Sequence, residues 1–314
     1  MIKKASALLL IIAAGITVSC VFKQFTPGGK TENDNAEQQQ VEPPTRAELV
    51  ILALAQAYPD RIEKTEFRND DWALLLGDTW YYYTEGKLLP ENQIENADDY
   101  RPYQIYNYPD ELPEWRPRTQ EEEERLKSWT ERRSQTRNQY KRSAFFLNDL
   151  WQASTREQAE KNIVVVNFLG KQAKIHSLIQ EKLVNVETQI REEIKDDPQI
   201  QTWINNLEPI EGYNWRNIAD TQSRSLHSYG IAIDLLPKKL GRQQTYWLWT
   251  SQYRDDWWNV SYNERYHPPA AVIRAFESNG FIWGGKWPLF DTMHFEYRPE
   301  VFIFSKMTSR ESGS

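Results

Sequence analysis

Two short segments in the last third of the chain place histidine beside carboxylates at tight spacing. Residues 227–234 read HSYGIAID, and residues 291–296 read DTMHFE. In the first segment, strand alternation puts Asp234 on one face while Ile233 and Leu235 take the other. An aspartate between core-facing residues is costly to bury unless it is paired, hydrogen-bonded or bound to a metal.

The second segment supplies the remaining groups that a metal-assisted hydrolysis needs. His294 and Glu296 share one face of a short extended run, and Asp291 precedes His294 by one turn. Two imidazoles and one carboxylate on zinc leave a fourth position for water, as catalytic sites require. Zinc lowers the pKa of that water, and a nearby carboxylate transfers its proton to the leaving amine. Either segment by itself is also typical of a structural histidine, and their combination favours the metal site.

Composition restricts the kind of site and the kind of partner. The single cysteine excludes an internal disulfide framework and a Cys-rich zinc module, and four histidines exclude a His-rich site. Any metal centre must therefore use carboxylates. A net charge of −7, with only short basic stretches, argues against a nucleic-acid partner. The 13 Trp, 16 Tyr and 12 Phe can fill a large core and line a groove for a sugar or peptide polymer.

The elements that must position these residues are short. Strands are predicted at 231–236 and 294–297, and a helix at 269–278 ends at Asn279, a favourable C-cap position before glycine. We therefore expect residues 205–305 to form an α+β core: a small antiparallel sheet with flanking helices that carries a single zinc site.

The preceding part of the chain is predicted to be a mainly helical region, residues 46–204, packed on that core. The periodicity predicts helices and strands, with residues 91–118 irregular between them. The predicted helices are 46–58, 119–155 and 175–190. A strand is predicted at 163–169, and residues 80–83 are predicted to be a strand or a rigid aromatic edge. The acidic-then-basic order of charges at the start of the long helix indicates a solvated face.

The N-terminus predicts export. Lys3 and Lys4 precede an apolar run of signal-peptide length that ends at Cys20. A small residue before a cysteine here resembles a bacterial lipobox, which makes residues 1–19 a lipoprotein signal peptide and Cys20 the lipidation site. An ordinary cleaved signal with an incidental cysteine is the alternative. Residues 20–45 are polar and rich in Pro, Gly and Gln, so they are predicted to be a disordered tether, and residues 306–314 a tail.

The two chemical segments resemble the signatures of one family. Residues 225–234, SLHSYGIAID, match the S-x-H-x-x-G-x-A-x-D pattern of VanY-like zinc D-alanyl-D-alanine carboxypeptidases. Residues 280–287, GFIWGGKW, and residues 290–296, FDTMHFE, are similar to the second signature of that family. Its relatives include the L-alanyl-D-glutamate endopeptidases of phage lysins. The resemblance covers about residues 211–298.

Carried over position by position, the resemblance assigns a role to each matching residue. It makes His227, Asp234 and His294 the ligands of one zinc ion per chain. Asp291 then matches the catalytic base. Residues 213–219, YNWRNIA, are similar to the segment that supplies an arginine near the scissile carbonyl.

Further residues of the matching segments are candidates for contact with the substrate or the ligands. Arg216 is the candidate to bind substrate or stabilise the oxyanion. Arg224, Tyr229 and Trp283 are candidate substrate-binding residues, although tryptophans of this region are more often core or groove walls. Glu296 either orients His294 without itself binding the metal or is a surface carboxylate.

These observations predict an exported, lipid-anchored zinc metallopeptidase that faces the periplasm or the cell wall and hydrolyses peptidoglycan stem peptides. D-Alanyl-D-alanine carboxypeptidase activity is the preferred reaction. The alternatives are cleavage between L-Ala and D-Glu, action on a different amide, or a non-catalytic wall-binding lipoprotein. The expected partners are the stem peptide and the membrane, without nucleic acid. The sequence carries no signal for an oligomeric state.

Overall fold

The computed structural model describes residues 43–136, 141–218 and 221–311. The predicted signal peptide, Cys20 and nearly all of the predicted tether lie outside the described residues. Within the described ranges, no helix is both long enough and apolar enough to cross a membrane.

The described chain begins with a helix on an antiparallel sheet. Helix α1 starts after Thr45, whose hydroxyl accepts a hydrogen bond from the Glu48 amide at 3.2 Å. The sheet has four strands in sequential order, joined by tight turns. These elements are α1 (Arg46–Ala57), β1 (Ile62–Arg68), β2 (Asp71–Leu76), β3 (Thr79–Thr84) and β4 (Lys87–Pro90).

The middle of the chain connects this sheet to the predicted core. A 3-10 helix, Glu91–Asp99, is followed by a short strand and by residues 102–118, which contain no helix or strand. Further along, a β-hairpin leads into two helices. The elements are β5 (Tyr100–Arg101), α2 (Gln120–Thr136), β6 (Lys141–Arg142), α3 (Phe145–Leu150), α4 (Arg156–Lys161), β7 (Ile163–Phe168), β8 (Lys171–His176), α5 (Gln180–Glu193) and α6 (Gln199–Asn205).

The last third contains the small antiparallel sheet that the sequence predicts. Its strand order is β10–β11–β9, so the last strand in sequence lies in the middle. A 3-10 helix, Leu226–Tyr229, immediately precedes the first of these strands. The elements are β9 (Ala232–Asp234), α7 (Trp247–Thr250), α8 (Ala270–Ser278), β10 (Phe281–Trp283), β11 (His294–Tyr297) and α9 (Pro299–Glu311).

One apolar core joins the two halves of the described chain. Helix α1 packs against α9, and α5 packs against α8. Phe276 of α8 stacks on Phe295 of β11, with ring centroids 4.1 Å apart. Buried Glu300 accepts hydrogen bonds from the hydroxyls of Tyr58 and Tyr103, at 2.8 and 3.2 Å. Elements that precede the predicted core therefore complete its packing.

The α+β class with a small antiparallel sheet is confirmed, but two helix predictions were wrong in extent. The helix predicted at 119–155 is interrupted, because residues 141–142 pair with β5 and a separate helix starts at Phe145. The helix predicted at 175–190 begins only at Gln180, because Lys171–His176 pair with β7.

The region 46–204 also contains more sheet than its helical spacing predicts. Helices contribute more residues than strands there, as expected, but the four-stranded sheet and the β7–β8 hairpin are substantial. The short apolar run Trp72–Leu76 forms backbone hydrogen bonds with a strand on each side, β1 and β3. A run of that length is compatible with a helix or a strand by periodicity, and tertiary pairing decides it.

Candidate metal centre and active site

His227 is fixed by the 3-10 helix that precedes β9. The Ser225 hydroxyl accepts a hydrogen bond from the His227 amide at 3.3 Å. The buried imidazole has its Nδ1 2.6 Å from the carbonyl oxygen of Gly212. Its other nitrogen, Nε2, faces Asp234 Oδ2 at 3.3 Å and makes no hydrogen bond within the described residues. His227 therefore presents a buried, unpartnered nitrogen to a carboxylate.

Gly230 ends this 3-10 helix and sets the direction of the following strand. Its φ is 69°, in the left-handed region that favours glycine. Its carbonyl oxygen accepts a hydrogen bond from the His176 amide at 2.8 Å. A Cβ at this position would lie 2.7 Å from that same amide nitrogen. The β7–β8 hairpin thus packs directly against the turn that follows His227, and only glycine fits at position 230.

The pairing of β9 with β11 brings the other two predicted ligands together. Asp234 and His294 are directly opposite each other in the antiparallel register. Asp234 Oδ1 lies 2.7 Å from His294 Nδ1. One donor atom from each of His227, Asp234 and His294 can be chosen so that all three lie within 4.8 Å of one another. These three residues form a buried group that could hold a metal ion, the metal group.

The charges around this group favour a cation. Burial raises the pKa of Asp234, but the imidazoles of His227 and His294 outweigh it and hold that pKa well below its usual range. Burial lowers the pKa of His294, but Asp234 and Glu296 outweigh it and hold that pKa well above its usual value. Carboxylates on both sides of His294 stabilise positive charge here. With the unpartnered Nε2 of His227, this donor set fits a divalent metal.

Glu296 lies against the far side of His294. Its Oε1 is 3.1 Å from His294 Nε2, the ring nitrogen opposite the one that faces Asp234. Its Oε2 lies 3.9 Å from the guanidinium of Arg298. Burial raises the pKa of Glu296, but His294 and Arg298 outweigh it and hold the pKa below its usual value. The geometry is that of a carboxylate that orients a ligand histidine.

Asp291 lies at the entrance of β11 and is half-buried. Its amide donates a hydrogen bond to the carbonyl oxygen of Gly284 at 3.0 Å, and its carboxylate Oδ1 is buried without a hydrogen-bond partner among the described residues. Burial raises the pKa of Asp291 to about 7, with Asp234 adding to the effect and His294 opposing it. A carboxyl group of that kind can accept and release a proton near neutral pH.

The structure also brings Arg216 to this neighbourhood. Its amide donates to the Ser228 hydroxyl at 2.9 Å, and that hydroxyl donates back to the Arg216 carbonyl at 2.7 Å. These bonds fix the Arg216 segment to the 3-10 helix that carries His227. The guanidinium is exposed and lies 3.7 Å from the Glu211 carboxylate. Its positive charge lowers the pKa of Asp291 and so opposes the effect of burial.

The three other candidates for substrate contact are bonded to their own chain. The guanidinium of Arg224 donates to the carbonyl of Ala153 at 2.6 Å and to the side chain of Asn148. Buried Tyr229 donates its hydroxyl to Asn148 at 3.1 Å. Trp283 is fully buried, and its indole donates to a backbone carbonyl. Their substrate-binding role stays a prediction, and none of these contacts supports it.

Trp287, which is not among the predicted site residues, lies against the metal group. Its ring is 5.8 Å from the ring of His294, centroid to centroid. Its indole donates to the hydroxyl of Tyr106 at 2.7 Å. Tyr106 belongs to the irregular 102–118 segment, so no periodicity in the sequence could predict that it lies near the site. Trp287 had one signal, its place in the GFIWGGKW segment, where it was interpreted as core or groove wall.

Two parts of the chain match known protein families. Residues 50–105, which include the four-stranded sheet, match the profile of a domain of unknown function. Residues 219–297 match the profile of a family described as D-alanyl-D-alanine carboxypeptidase. Neither the curated proteins nor the solved structures contained a match to this chain. The match at 219–297 supports a peptidoglycan-acting metallopeptidase family, and the His–Asp–His group that could hold a metal lies inside it.

Proposed function

We propose that this protein is a zinc metallopeptidase that hydrolyses peptidoglycan stem peptides as a D-alanyl-D-alanine carboxypeptidase. The observation that carries the proposal is the buried group of His227, Asp234 and His294 with Asp291 beside it, inside the segment that matches the family profile. Zinc bound there would polarise a carbonyl group and lower the pKa of a bound water.

The chain holds each metal donor in one orientation. His227 would use Nε2, since the Gly212 carbonyl accepts from its Nδ1. His294 would use Nδ1, since Glu296 lies against its Nε2. Partners of this kind fix the ring and increase the basicity of the donor nitrogen. Asp234 would supply the carboxylate ligand.

Asp291 is the proposed general base. Its Oδ1 has no partner within the described residues, and its raised pKa allows the carboxylate to take a proton from water and return it to the leaving amine. Arg216 is the proposed partner of the substrate carbonyl oxygen. Its guanidinium is exposed and is anchored through its backbone next to His227.

The proposal includes export and a lipid anchor. The basic start, the apolar run and Cys20 in residues 1–20 support it. A tether between the anchor and the described unit suits work on cell-wall peptides close to a membrane.

The test is product analysis on a stem pentapeptide that ends in D-Ala-D-Ala. Purified protein is incubated with the peptide with chelator, without chelator, and after zinc is restored, and products are identified by mass spectrometry. Chelator-sensitive loss of one alanine from the C-terminus is the expected result. Release of the N-terminal L-Ala would instead identify the endopeptidase. No cleavage by zinc-loaded protein would reject the stem-peptide proposal and favour a different substrate or a wall-binding role.

A further inference from the structure

A cavity lies near the metal group, with Trp287 between them. It measures about 190 Å³ and is bounded by residues 113–118 on one side and by residues 258–265 on the other. Trp287 lines this cavity and also contacts the ring of His294. One residue, Trp287, thus borders both the cavity and the ring of a candidate metal ligand.

The cavity holds a buried positive charge without an acidic partner. Arg265 lines it and is only 4% exposed. Two of its nitrogens donate to the Val260 carbonyl, at 3.1 and 2.8 Å, and its guanidinium stacks on the rings of Tyr262 and Phe290. No carboxylate of the described residues lies within ion-pair distance of Arg265. Buried charges are normally paired, so an unpaired one indicates a missing anion.

Other donors at the cavity add to this imbalance. The indole Nε1 of Trp258 is buried and has no acceptor within the described residues. Arg118 also lines the cavity. Burial lowers the pKa of Arg265 to about 10; the charge of Arg118 adds to the effect, and Tyr262 and Glu264 oppose it. Glu114, the acidic residue of the lining, is exposed. The lining thus offers more donors and positive charge than acceptors.

Two further cations of the lining are already neutralised. Arg116 forms a double hydrogen bond with Glu122, at 2.8 Å for each contact. The Lys286 amine lies 2.7 Å from the Glu277 carboxylate and donates to the carbonyls of Pro109 and Asp110. Arg118 also acts electrostatically on Glu122, so the cation of the lining that has no ion-pair partner among the described residues is Arg265.

Hydrogen bonds hold the 102–118 segment in place as one wall of the cavity. Besides the Lys286 bonds, the Arg118 amide donates to the Asn259 side chain at 3.0 Å, and the Tyr106 hydroxyl accepts from Trp287 at 2.7 Å. This segment lies outside the part of the chain that matches the peptidase family. The chain therefore adds its own wall to the side of the metal group.

We propose that this cavity is a substrate subsite that binds a free carboxylate of the peptide through Arg265, Arg118 and the Trp258 indole. The inference rests on the proposed peptidase function and adds a substrate class to it: peptides whose free carboxylate binds in this cavity. Stem peptides offer two sources, the α-carboxylate of the D-isoglutamyl residue and the C-terminal carboxylate.

The test compares three stem pentapeptides. The first has a free acid at both positions, the second has D-isoglutamine in place of D-isoglutamate, and the third has a C-terminal amide. KM and kcat are measured for the wild type, for Arg265→Met and for Arg118→Met. Amidation of the bound carboxylate should raise the wild-type KM about tenfold, the size expected for a charge-assisted hydrogen bond, with kcat little changed. Both variants should raise KM for the free acid and lose the discrimination against that amide.

Controls separate this proposal from a folding defect and from failure of the peptidase proposal. Arg265→Lys keeps the charge and should recover part of the discrimination. Arg274→Met removes an exposed arginine that pairs with Glu193 at 3.8 Å, and it should leave the discrimination unchanged. If the protein cleaves none of the peptides, their binding is measured by tryptophan fluorescence instead. Equal wild-type KM values, or equal affinities, for all three peptides would overturn the subsite.

Discussion

At the scale of single residues, the metal group depends on partners that point each donor inward. Glu296 on the far nitrogen of His294 is one such partner, and Glu296→Gln removes its charge while keeping its shape. We expect zinc affinity to fall about 10–100-fold, the usual cost of losing an outer carboxylate. Competition with a chromophoric chelator measures it. Glu63→Gln, at an exposed position on β1, is the control. Unchanged zinc affinity in Glu296→Gln would show that Glu296 does not orient a metal ligand.

Asp291 allows a sharper separation of chemistry from metal binding. Asp291→Asn should lower kcat at least about 100-fold, because the amide cannot accept the proton, while zinc content stays at one per chain. Stability should not fall, since the carboxylate Oδ1 is buried without a hydrogen-bond partner among the described residues. Stem-peptide turnover, metal analysis and urea denaturation check the three statements. Exposed Asp255→Asn is the control, and full turnover by Asp291→Asn would remove Asp291 from the mechanism.

At the scale of elements, the turn at Gly230 joins the β7–β8 hairpin to the metal group. Gly230→Ala combines an unfavourable φ of 69° with a Cβ 2.7 Å from the His176 amide nitrogen. We expect a loss of about 3 kcal/mol or more in the free energy of unfolding. Gly77→Ala is matched for backbone conformation, φ 58°, but has open space around it, so it should cost only about 1–2 kcal/mol. Equal losses in urea denaturation would contradict the role of the close approach.

His176, at the end of β8, gives that hairpin a pH dependence. Its Nε2 donates to the Trp151 carbonyl at 3.0 Å and its Nδ1 accepts from the Leu178 amide at 3.2 Å, which requires the neutral ring. Burial lowers the pKa of His176. As pH falls below about 6.5, His176 therefore binds a proton in the unfolded chain but stays neutral in the folded chain. The free energy of unfolding falls as a result.

The difference between wild type and His176→Gln isolates this contribution from the other histidines. Urea denaturation at a series of pH values from about 8 to about 5, spanning the ordinary histidine pKa, should show a shallower loss of stability in His176→Gln than in the wild type. Parallel curves for the two proteins would show that His176 does not titrate on unfolding.

At the scale of the whole molecule, the sheet at the start of the described chain and the candidate metal group near its end share one core. Leu54 of α1 is fully buried in it, and α1 packs on α9, which directly follows β11. Leu54→Ala should lower the free energy of unfolding by about 2–5 kcal/mol through the cavity it leaves. Because the core is continuous, zinc release and the tryptophan fluorescence change should shift together on heating. A fluorescence transition that shifts while zinc release stays in place would show two independent units.

Local sequence determined much of the chemistry and several elements of this protein. Because the side chains of a strand alternate between its two faces, Asp234 takes the face opposite its core-facing neighbours. For the same reason His294 and Glu296 share one face. Helices α1 and α8 follow from spacing and end signals within about a dozen residues. The types of group at the candidate metal site therefore follow from two short segments of the chain.

Tertiary structure alone decided which of these pieces meet. The β9–β11 register sets Asp234 against His294, and the β7–β8 hairpin, part of it predicted as helix, packs on Gly230. The irregular 102–118 segment brings Tyr106 to Trp287, and Arg224 turns to Asn148 rather than to the metal group. The physical reason is that periodicity is a local signal: it predicts only the face that a residue takes within its own helix or strand. Which elements become neighbours depends on burial and backbone pairing summed over the whole chain.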